Sequence, residues 1–187
     1  MPNKLLGQHW LIDKNILKNI IKISRINSQD TVLEIGTGTG NLTQYLSLAA
    51  KKVISIEKDP QIFKVSQNKL AKTNNLVLIN QDILKIDIKS LGLNAYKVVG
   101  NIPYYLTGKL LRQIMENWPK PELIILMVQQ EVAQRLTDQK KSSKISVFAN
   151  LYGQVKIAKT VLAKAFFPKP KVNSCLITIT PALNPPK

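Results

Sequence analysis

The sequence has little of what disulfides, metal sites and membrane spans require. It contains one cysteine, Cys175, and one histidine, His9, in 187 residues, which excludes an intramolecular disulfide, a cysteine-rich zinc site and a histidine-rich metal cluster. No apolar run approaches the roughly 20 residues that a transmembrane helix needs, and the first ten residues lack the long apolar stretch of a signal peptide. We therefore predict a cytoplasmic protein that binds no metal and does not enter a membrane.

Acidic residues are also few. Asp and Glu number 11 against 27 Lys and Arg, which gives a net charge of +16, and the basic residues are spread along the whole chain. A folded domain this basic is typical of proteins that bind polyanions such as nucleic acids. Charge that only keeps the protein in solution, or that attracts a membrane surface, is the alternative.

Length and composition fit one folded domain. The chain is 44% hydrophobic and 20% charged, which supplies enough apolar material for a core. Residues 1–181 are predicted to form this domain, and the proline-containing residues 182–187 are predicted to be a disordered tail.

Short β-branched runs alternate with stretches of helical spacing. Strands are predicted at 31–36, 52–57, 76–79, 96–100, 123–128, 155–161 and 175–180. Helices are predicted at 42–50, from Pro60 with Asp59 as the N-cap, at 107–118, from 131, and at 145–152. This alternation predicts an α/β fold with a mostly parallel, doubly wound sheet of seven strands, helices on both faces and a late hairpin at one edge. The polar residues 137–144 are predicted to be a mobile loop.

Three glycines follow the first of these strands and precede a helix. Gly36, Gly38 and Gly40 form a G-x-G-x-G turn, which in a doubly wound sheet lies at the carboxyl edge where ligands bind. Glycine removes the Cβ atoms that would keep a ligand away from the backbone. The spacing differs from the G-x-G-x-x-G of dinucleotide sites, so the turn favours a nucleoside without a pyrophosphate.

Two acidic residues end the next two predicted strands. Glu57 lies at the place where a carboxylate accepts both ribose hydroxyl protons. Asp82 could accept from the amine of an adenine, and Ile83 could pack on its ring. Together with the glycine turn, these residues predict an adenosine-containing cofactor, and S-adenosylmethionine fits the glycine spacing better than NAD.

A second motif, Asn101-Ile-Pro103-Tyr104, ends the fourth predicted strand. The Asn101 side-chain oxygen and a nearby backbone carbonyl could accept both hydrogens of an exocyclic base amine. Pro103 would stiffen the turn that aims the carbonyl, and Tyr104 offers a flat surface on which a base can stack. The motif therefore predicts methylation of a base amine, with neither a covalent enzyme intermediate nor a metal. A turn with a core aromatic residue is the structural alternative.

These motifs resemble those of the rRNA adenine-N6 dimethyltransferase family. The resemblance runs in order through nearly the whole chain: LGQHWLID at 6–13, LEIGTGTGNLT at 33–43, IEKD at 56–59, QDI at 81–83, NIPY at 101–104, MVQQEVAQR at 127–135 and FFPKPKVNS at 166–174. It implies a class I S-adenosylmethionine-dependent methyltransferase fold with S-adenosylmethionine as the cofactor.

The resemblance also implies how the cofactor would be bound. His9 and Leu11 would close over it from the N-terminal motif. Gly36, with Gly38 beside it, would approach the methionine part. Glu57 would bind the ribose, and Asp82 with Ile83 the adenine.

The target base would be bound on the other side of the cofactor. Asn101 would contact both the methionine region and the target N6, next to Pro103. Tyr104 and Phe167 resemble the family's base-stacking aromatic residues, and Phe166 is the alternative to Phe167 if the register differs by one.

The resemblance leaves the RNA target open between two branches. Residues 7–13 and 127–133 favour the branch that dimethylates two adjacent adenosines near the 3′ end of 16S small-subunit rRNA, over the macrolide-resistance branch that acts on 23S large-subunit rRNA. The expected partner is the rRNA of an immature 30S subunit, and the expected state is a monomer. A non-catalytic RNA-binding module and a small-molecule methyltransferase or NAD enzyme are further alternatives. The helical C-terminal domain usual in this family is expected to be absent, which would weaken ribosome methylation.

Overall fold

The computed structural model describes residues 9–138 and 144–182. The motif residues 6–8, most of the predicted mobile loop (139–143) and the predicted tail from residue 183 onward lie outside the described residues.

The core of the fold is one seven-stranded sheet. Its strands are β2 (Thr31–Ile35), β3 (Lys52–Glu57), β4 (Leu76–Asn80), β5 (Lys97–Asn101), β6 (Leu123–Gln129), β7 (Gly153–Val161) and β9 (Ser174–Pro181), in the order β4-β3-β2-β5-β6-β9-β7. The first five in this order are parallel, β9 is antiparallel to β6, and β7 pairs with β9 at the edge. The predicted mostly parallel sheet and its late hairpin are confirmed.

Helices cover both faces of the sheet. They are α1 (Lys14–Ser24), α2 (Asn41–Ala49), α3 (Pro60–Lys69), α4 (Thr107–Glu116), α5 (Gln130–Thr137) and α6 (Lys144–Tyr152). Successive residues of a strand point to opposite faces, so Leu33 and Ile35 of β2 join one core with α4 and α5, whereas Val32 joins another with α1 and α2. Strands buried on both faces explain why the sequence reads as continuous apolar runs rather than alternating ones.

The helix starts follow local hydrogen bonding. The Asp59 side chain accepts from the backbone of Gln61 and Ile62, with Pro60 in the first turn of α3, which confirms the predicted cap. Asp13 caps α1 in the same way. Helix α1 was not among the predicted elements, although Asp13 followed by buried residues at helical spacing, Leu17 and Ile20, is the signal that would have found it.

A second, two-stranded pairing brings the N-terminus to the late loop. Strand β1 (Trp10–Leu11) is antiparallel to β8 (Phe166–Phe167), with Trp10 opposite Phe167 and Leu11 opposite Phe166. This pairing holds residues 9–12, which we call the N-terminal segment, over the carboxyl edge of the sheet.

The strand order creates a crevice at that edge. From β2 the chain moves outward through β3 to β4, and it then returns to the other side of β2 to form β5 and β6. Ligands of doubly wound sheets bind where the order reverses in this way, at the carboxyl ends of the strands. The position between β2 and β5 is therefore where the site is expected.

Candidate active site

A cleft of about 300 Å³ opens at this reversal point. Ten of the predicted site residues line it: His9, Leu11, Gly36, Gly38, Glu57, Asp82, Ile83, Asn101, Pro103 and Tyr104. Trp10, Lys58, Tyr105 and Lys109 also line it, although none of them was among the predicted site residues. The cleft thus joins the predicted cofactor residues and the predicted base residues in one space.

The two candidate phenylalanines lie in different surroundings. Phe166 is 3% exposed and belongs to the core that contains α1 and α2. Phe167 is 57% exposed and lies beside the cleft rather than in its lining. Of the two, only Phe167 presents an aromatic face to solvent.

The glycine turn adopts a backbone that other residues rarely take. Gly36, Gly38 and Gly40 have φ of +80°, +55° and +76°, the left-handed region that glycine enters without steric cost. A Cβ on Gly36 would lie 3.6 Å from the backbone oxygen of Asn101. The turn after β2 therefore lies against the end of β5, where the second motif begins, and it is the positive φ rather than this contact that favours glycine at position 36.

Glu57 ties the turn to the end of β3. Its Oε2 accepts from the backbone N–H of Gly38 at 2.9 Å, and its Oε1 accepts from that of Asp59 at 2.9 Å. Burial raises the pKa of Glu57, and these backbone hydrogen bonds oppose the rise. A carboxylate has about four acceptor positions, so Glu57 keeps acceptor capacity toward the cleft.

Asp82 is held by a neighbouring lysine. Its Oδ1 accepts from the backbone N–H of Leu84 at 3.0 Å, and its Oδ2 pairs with Lys58 Nζ at 3.0 Å. Partial burial would raise the pKa of Asp82, but the Leu84 N–H and the Lys58 ammonium outweigh it, and the pKa lies below its usual value. Asp82 is therefore an ionised acceptor at neutral pH.

Asn101 is oriented by the N-terminal segment. Its Nδ2 donates to the backbone carbonyl of His9 at 2.9 Å. A carbonyl can only accept, so the amide must present its nitrogen to His9 and keep its oxygen as an acceptor. Orientation of Asn101 thus depends on a residue 92 positions earlier in the chain.

The His9 ring contacts both the Pro168 carbonyl and the Tyr104 ring. Its Nδ1 lies 2.7 Å from the Pro168 carbonyl, which requires a hydrogen on Nδ1. Its ring stacks on Tyr104 with centroids 6.1 Å apart and an interplanar angle of 26°. The Tyr104 hydroxyl bonds the Ser174 hydroxyl at 2.8 Å, and burial raises the pKa of this phenol. These contacts fix the Tyr104 ring at the edge of the cleft.

The buried carboxylate of Glu34 is connected to the glycine turn by hydrogen bonds. Glu34 is fully buried, and its Oε2 accepts from the hydroxyls of Thr43 and Ser55 at 2.7 and 2.6 Å. The Thr37 hydroxyl lies 2.6 Å from that of Ser55, which extends the network into the glycine turn. Burial raises the pKa of Glu34 to about 7, and its Oε1 has no hydrogen-bond partner within the described chain.

Two absences apply to the part of the chain that the structure describes. No group of three or more His, Cys, Asp or Glu side chains there could hold a metal ion. No helix there is long and apolar enough to cross a bilayer.

Comparison with known proteins identifies the family. A family model described as ribosomal RNA adenine dimethylase matches residues 2–187. The chain belongs to this family. The predicted resemblance is thereby confirmed over almost the full length of the sequence.

Relatives and solved structures agree with this membership. This chain is 38% identical over 182 residues to a ribosomal RNA small subunit methyltransferase A of Clostridium botulinum. The match covers 95% of this chain and 66% of the relative. A protein of the same name from Caldanaerobacter subterraneus is 38% identical, covering 94% and 68%. The crystal structure of a Plasmodium falciparum dimethyladenosine transferase matches with a TM-score of 0.83 at 31% identity, covering 93% and 64%.

A solved structure of the other branch matches as well. The 23S rRNA methyltransferase ErmE gives a TM-score of 0.84 at 27% identity, covering 94% of this chain and 71% of that one. The class I methyltransferase fold predicted for this family member is confirmed, and the fold alone does not distinguish the two RNA targets. The chain spans about two thirds of the length of the curated relatives it matches.

Proposed function

We propose that this chain transfers methyl groups from S-adenosylmethionine to the N6 of adenine in 16S small-subunit rRNA, at two adjacent adenosines near the 3′ end. The observation that carries the proposal is the position of Asn101, whose amide oxygen is kept as an acceptor in the cleft beside the glycine turn. Curated relatives at 38% identity carry the name of small-subunit rRNA methyltransferases, which favours the small-subunit target over the 23S target.

The lining residues fit the cofactor. Glu57 offers acceptors for two ribose hydroxyls at the end of β3, and Asp82 offers an ionised acceptor for the adenine amine after β4. Ile83 adds an apolar surface, and a Cβ at Gly36 would narrow the space toward Asn101. When bound, S-adenosylmethionine supplies a methyl carbon attached to a positively charged sulfur.

Asn101 and the turn that follows it would act on the target base. The lone pair of an exocyclic amine is delocalised into the purine ring, which makes the nitrogen a poor nucleophile. Two acceptors, the Asn101 Oδ1 and a backbone carbonyl of the turn, would draw its hydrogens out of the ring plane and localise that lone pair toward the methyl carbon. Stabilisation of this kind is positional and electrostatic. The nitrogen–carbon bond forms as the carbon–sulfur bond breaks, and the proton released from N6 goes to water.

The aromatic side chains would hold the base in place. Tyr104 is fixed by its contacts with Ser174 and His9, and Phe167 is exposed beside the cleft. Stacking of an extruded base on aromatic side chains stabilises it by about 1–3 kcal/mol per base. We propose that Tyr104 and Phe167 provide this stacking and that Pro103 stiffens the turn between Asn101 and Tyr104.

The charge of the chain supports an RNA partner. A net charge of +16 attracts the phosphate backbone without sequence preference, and the relatives' names point to the small ribosomal subunit. We propose that the substrate is rRNA in an immature 30S subunit, and that the protein acts as a cytoplasmic monomer.

Transfer of labelled methyl groups from S-adenosylmethionine to immature small subunits tests the proposal. The unmodified chain is expected to transfer label, and Asn101→Ala is expected to lose roughly a hundred-fold in rate while cofactor binding largely survives. Asn19→Ala removes an amide on α1 that donates to the Asn15 carbonyl. It is the matched control and should keep full activity.

Three results would contradict the proposal, each in a different way. Full activity of Asn101→Ala would remove the assigned role of that amide. Salt-sensitive RNA binding without methyl transfer would indicate a non-catalytic assembly module. Label in large-subunit rRNA instead of small-subunit rRNA would indicate the other branch of the family.

A further inference from the structure

The indole nitrogen of Trp10 is a buried donor with no acceptor. Among the described residues nothing accepts from Nε1, although the atom is shielded from solvent and Trp10 lines the cleft. Leaving a buried N–H unpaired costs free energy, and native proteins avoid it unless another molecule supplies the partner. The donor therefore indicates a ligand atom that accepts a hydrogen bond.

The position of the indole shows which part of the cleft it serves. A Cβ built on Gly38 would lie 3.3 Å from Trp10 Cδ1 and 3.7 Å from Nε1. The edge of the ring that carries the N–H thus lies against the middle glycine of the turn. Cross-strand pairing of Trp10 with Phe167 holds the residue there.

The glycines of the turn have no backbone N–H left for a ligand. That of Gly36 donates to Ile56 O at 2.8 Å, that of Gly38 donates to the Glu57 carboxylate, and that of Gly40 donates to Thr37 O at 2.9 Å. Many glycine-rich turns bind anions through their N–H groups, but these three are used internally. The indole N–H lies beside them and has no acceptor among the described residues.

The order of strands along the edge indicates which part of the cofactor would lie next to Trp10. With Asp82 after β4 and Glu57 at the end of β3, the proposed adenine and ribose positions follow the order β4-β3. The amino-acid part of the cofactor then continues over the turn after β2 toward Asn101 on β5. Its carboxylate is anionic, and Lys58, a lysine in the cleft lining, is already paired with Asp82.

We propose that the indole N–H of Trp10 donates a hydrogen bond to the carboxylate of the cofactor's amino-acid part. The inference rests on the proposed function, since it assumes that the cofactor is S-adenosylmethionine. It gives the N-terminal segment a direct binding role through a side chain, in addition to the orientation of Asn101 by the His9 carbonyl.

Calorimetric titration with two matched ligands tests this contact. S-adenosylhomocysteine keeps the carboxylate, and S-adenosyl-3-thiopropylamine is the same molecule without it. Trp10→Phe keeps an aromatic ring against Gly38 but removes the donor. A hydrogen bond to a charged group predicts that Trp10→Phe weakens S-adenosylhomocysteine binding roughly ten-fold or more and leaves binding of the decarboxylated ligand within about two-fold.

Control variants separate this contact from packing and from other charges. Trp118→Phe changes the other tryptophan, away from the cleft lining, and should alter neither affinity. Lys109→Met removes the lysine of α4 that lines the cleft. If Lys109 rather than Trp10 bound the carboxylate, Lys109→Met would reproduce the ligand-selective loss, and the proposal would be wrong.

The other possible results of the Trp10 substitutions also test the proposed hydrogen bond. Equal weakening of both ligands by Trp10→Phe would show a packing role and overturn the inference, as would unchanged affinity for both. Replacing Trp10 by benzothienylalanine, which has sulfur in place of the indole N–H, should repeat the selective loss with the ring size retained. Failure of the unmodified chain to bind S-adenosylhomocysteine at all would instead refute the proposed function.

Discussion

Replacement of the buried Glu34 by glutamine should change how stability depends on pH. Glu34 is fully buried, and burial raises its pKa from 4.5 to about 7, against the lowering effect of the Ser55 and Thr43 hydroxyls. Glutamine has the same shape and can accept from both hydroxyls through its oxygen, but it carries no charge. The substitution therefore removes one titration and leaves the packing of the turn in place.

The sign and size follow from the two pKa values. The folded protein holds the Glu34 proton more tightly than the unfolded chain, so the contribution to stability is fully present below pH 4.5 and is lost as the pH rises through about 7. A pKa difference of this size corresponds to about 3 kcal/mol, at 1.36 kcal/mol per pKa unit. As the pH rises from 4.5 to 9, the free energy of unfolding of Glu34→Gln should increase by about 3 kcal/mol relative to that of the unmodified chain.

Urea unfolding at a series of pH values measures this difference. Taking the difference between the two proteins cancels the titration of all other groups that behave alike in both. Glu131→Gln, on the exposed surface of α5, is the matched control, because a solvent-exposed ion pair contributes little to stability. A stability difference between Glu34→Gln and the unmodified chain that stays constant from pH 4.5 to pH 9 would show that folding does not raise the pKa of Glu34.

Two further predictions concern the glycine turn and the Glu57 carboxylate. Gly40→Ala should lower the free energy of unfolding more than Gly92→Ala. Both glycines have a positive φ, which costs about 1–2 kcal/mol for alanine, but of the two only a Cβ at Gly40 meets a neighbour, at 2.9 Å from Leu70 Cδ1. Equal losses in urea titrations would show that the contact with Leu70 is relieved at no cost. Glu57→Gln should lose about 1.5–3 kcal/mol of stability and should weaken S-adenosylhomocysteine binding. The two carboxylate oxygens of Glu57 each accept from a backbone N–H, of Gly38 and of Asp59, and the glutamine NH₂ group would face one of these donors with another donor. Unchanged stability and affinity would contradict this.

The sheet could be predicted because its strands carry their own signal. β6 is a continuous apolar run that ends at Gln129, as burial on both faces favours, and β2 is apolar apart from Thr31 and Glu34. The alternation of strands and helices then leaves few topologies, so the carboxyl edge and the residues along it followed. Placement of Glu57, Asp82 and Asn101 in one cleft is a consequence of that edge.

Features that depend on distant residues could not be predicted in the same way. Strand β1 has two residues, too few for any periodicity, and exists because it pairs with β8 more than 150 positions later. The ion pair of Lys58 with Asp82 and the hydrogen bond from Asn101 to His9 likewise join positions with no local pattern between them. The unpaired N–H of Trp10 becomes visible only when its surroundings are known.

The most direct test of the central claim is to map N6,N6-dimethyladenosine by mass spectrometry on rRNA from cells that lack the gene. Two adjacent adenosines near the 3′ end of 16S rRNA should be unmodified in these cells. The intact gene should restore both dimethyl groups, and the gene carrying Asn101→Ala should restore neither. Dimethylated adenosines that persist in the deletion strain, or that return with the Asn101→Ala gene, would contradict it.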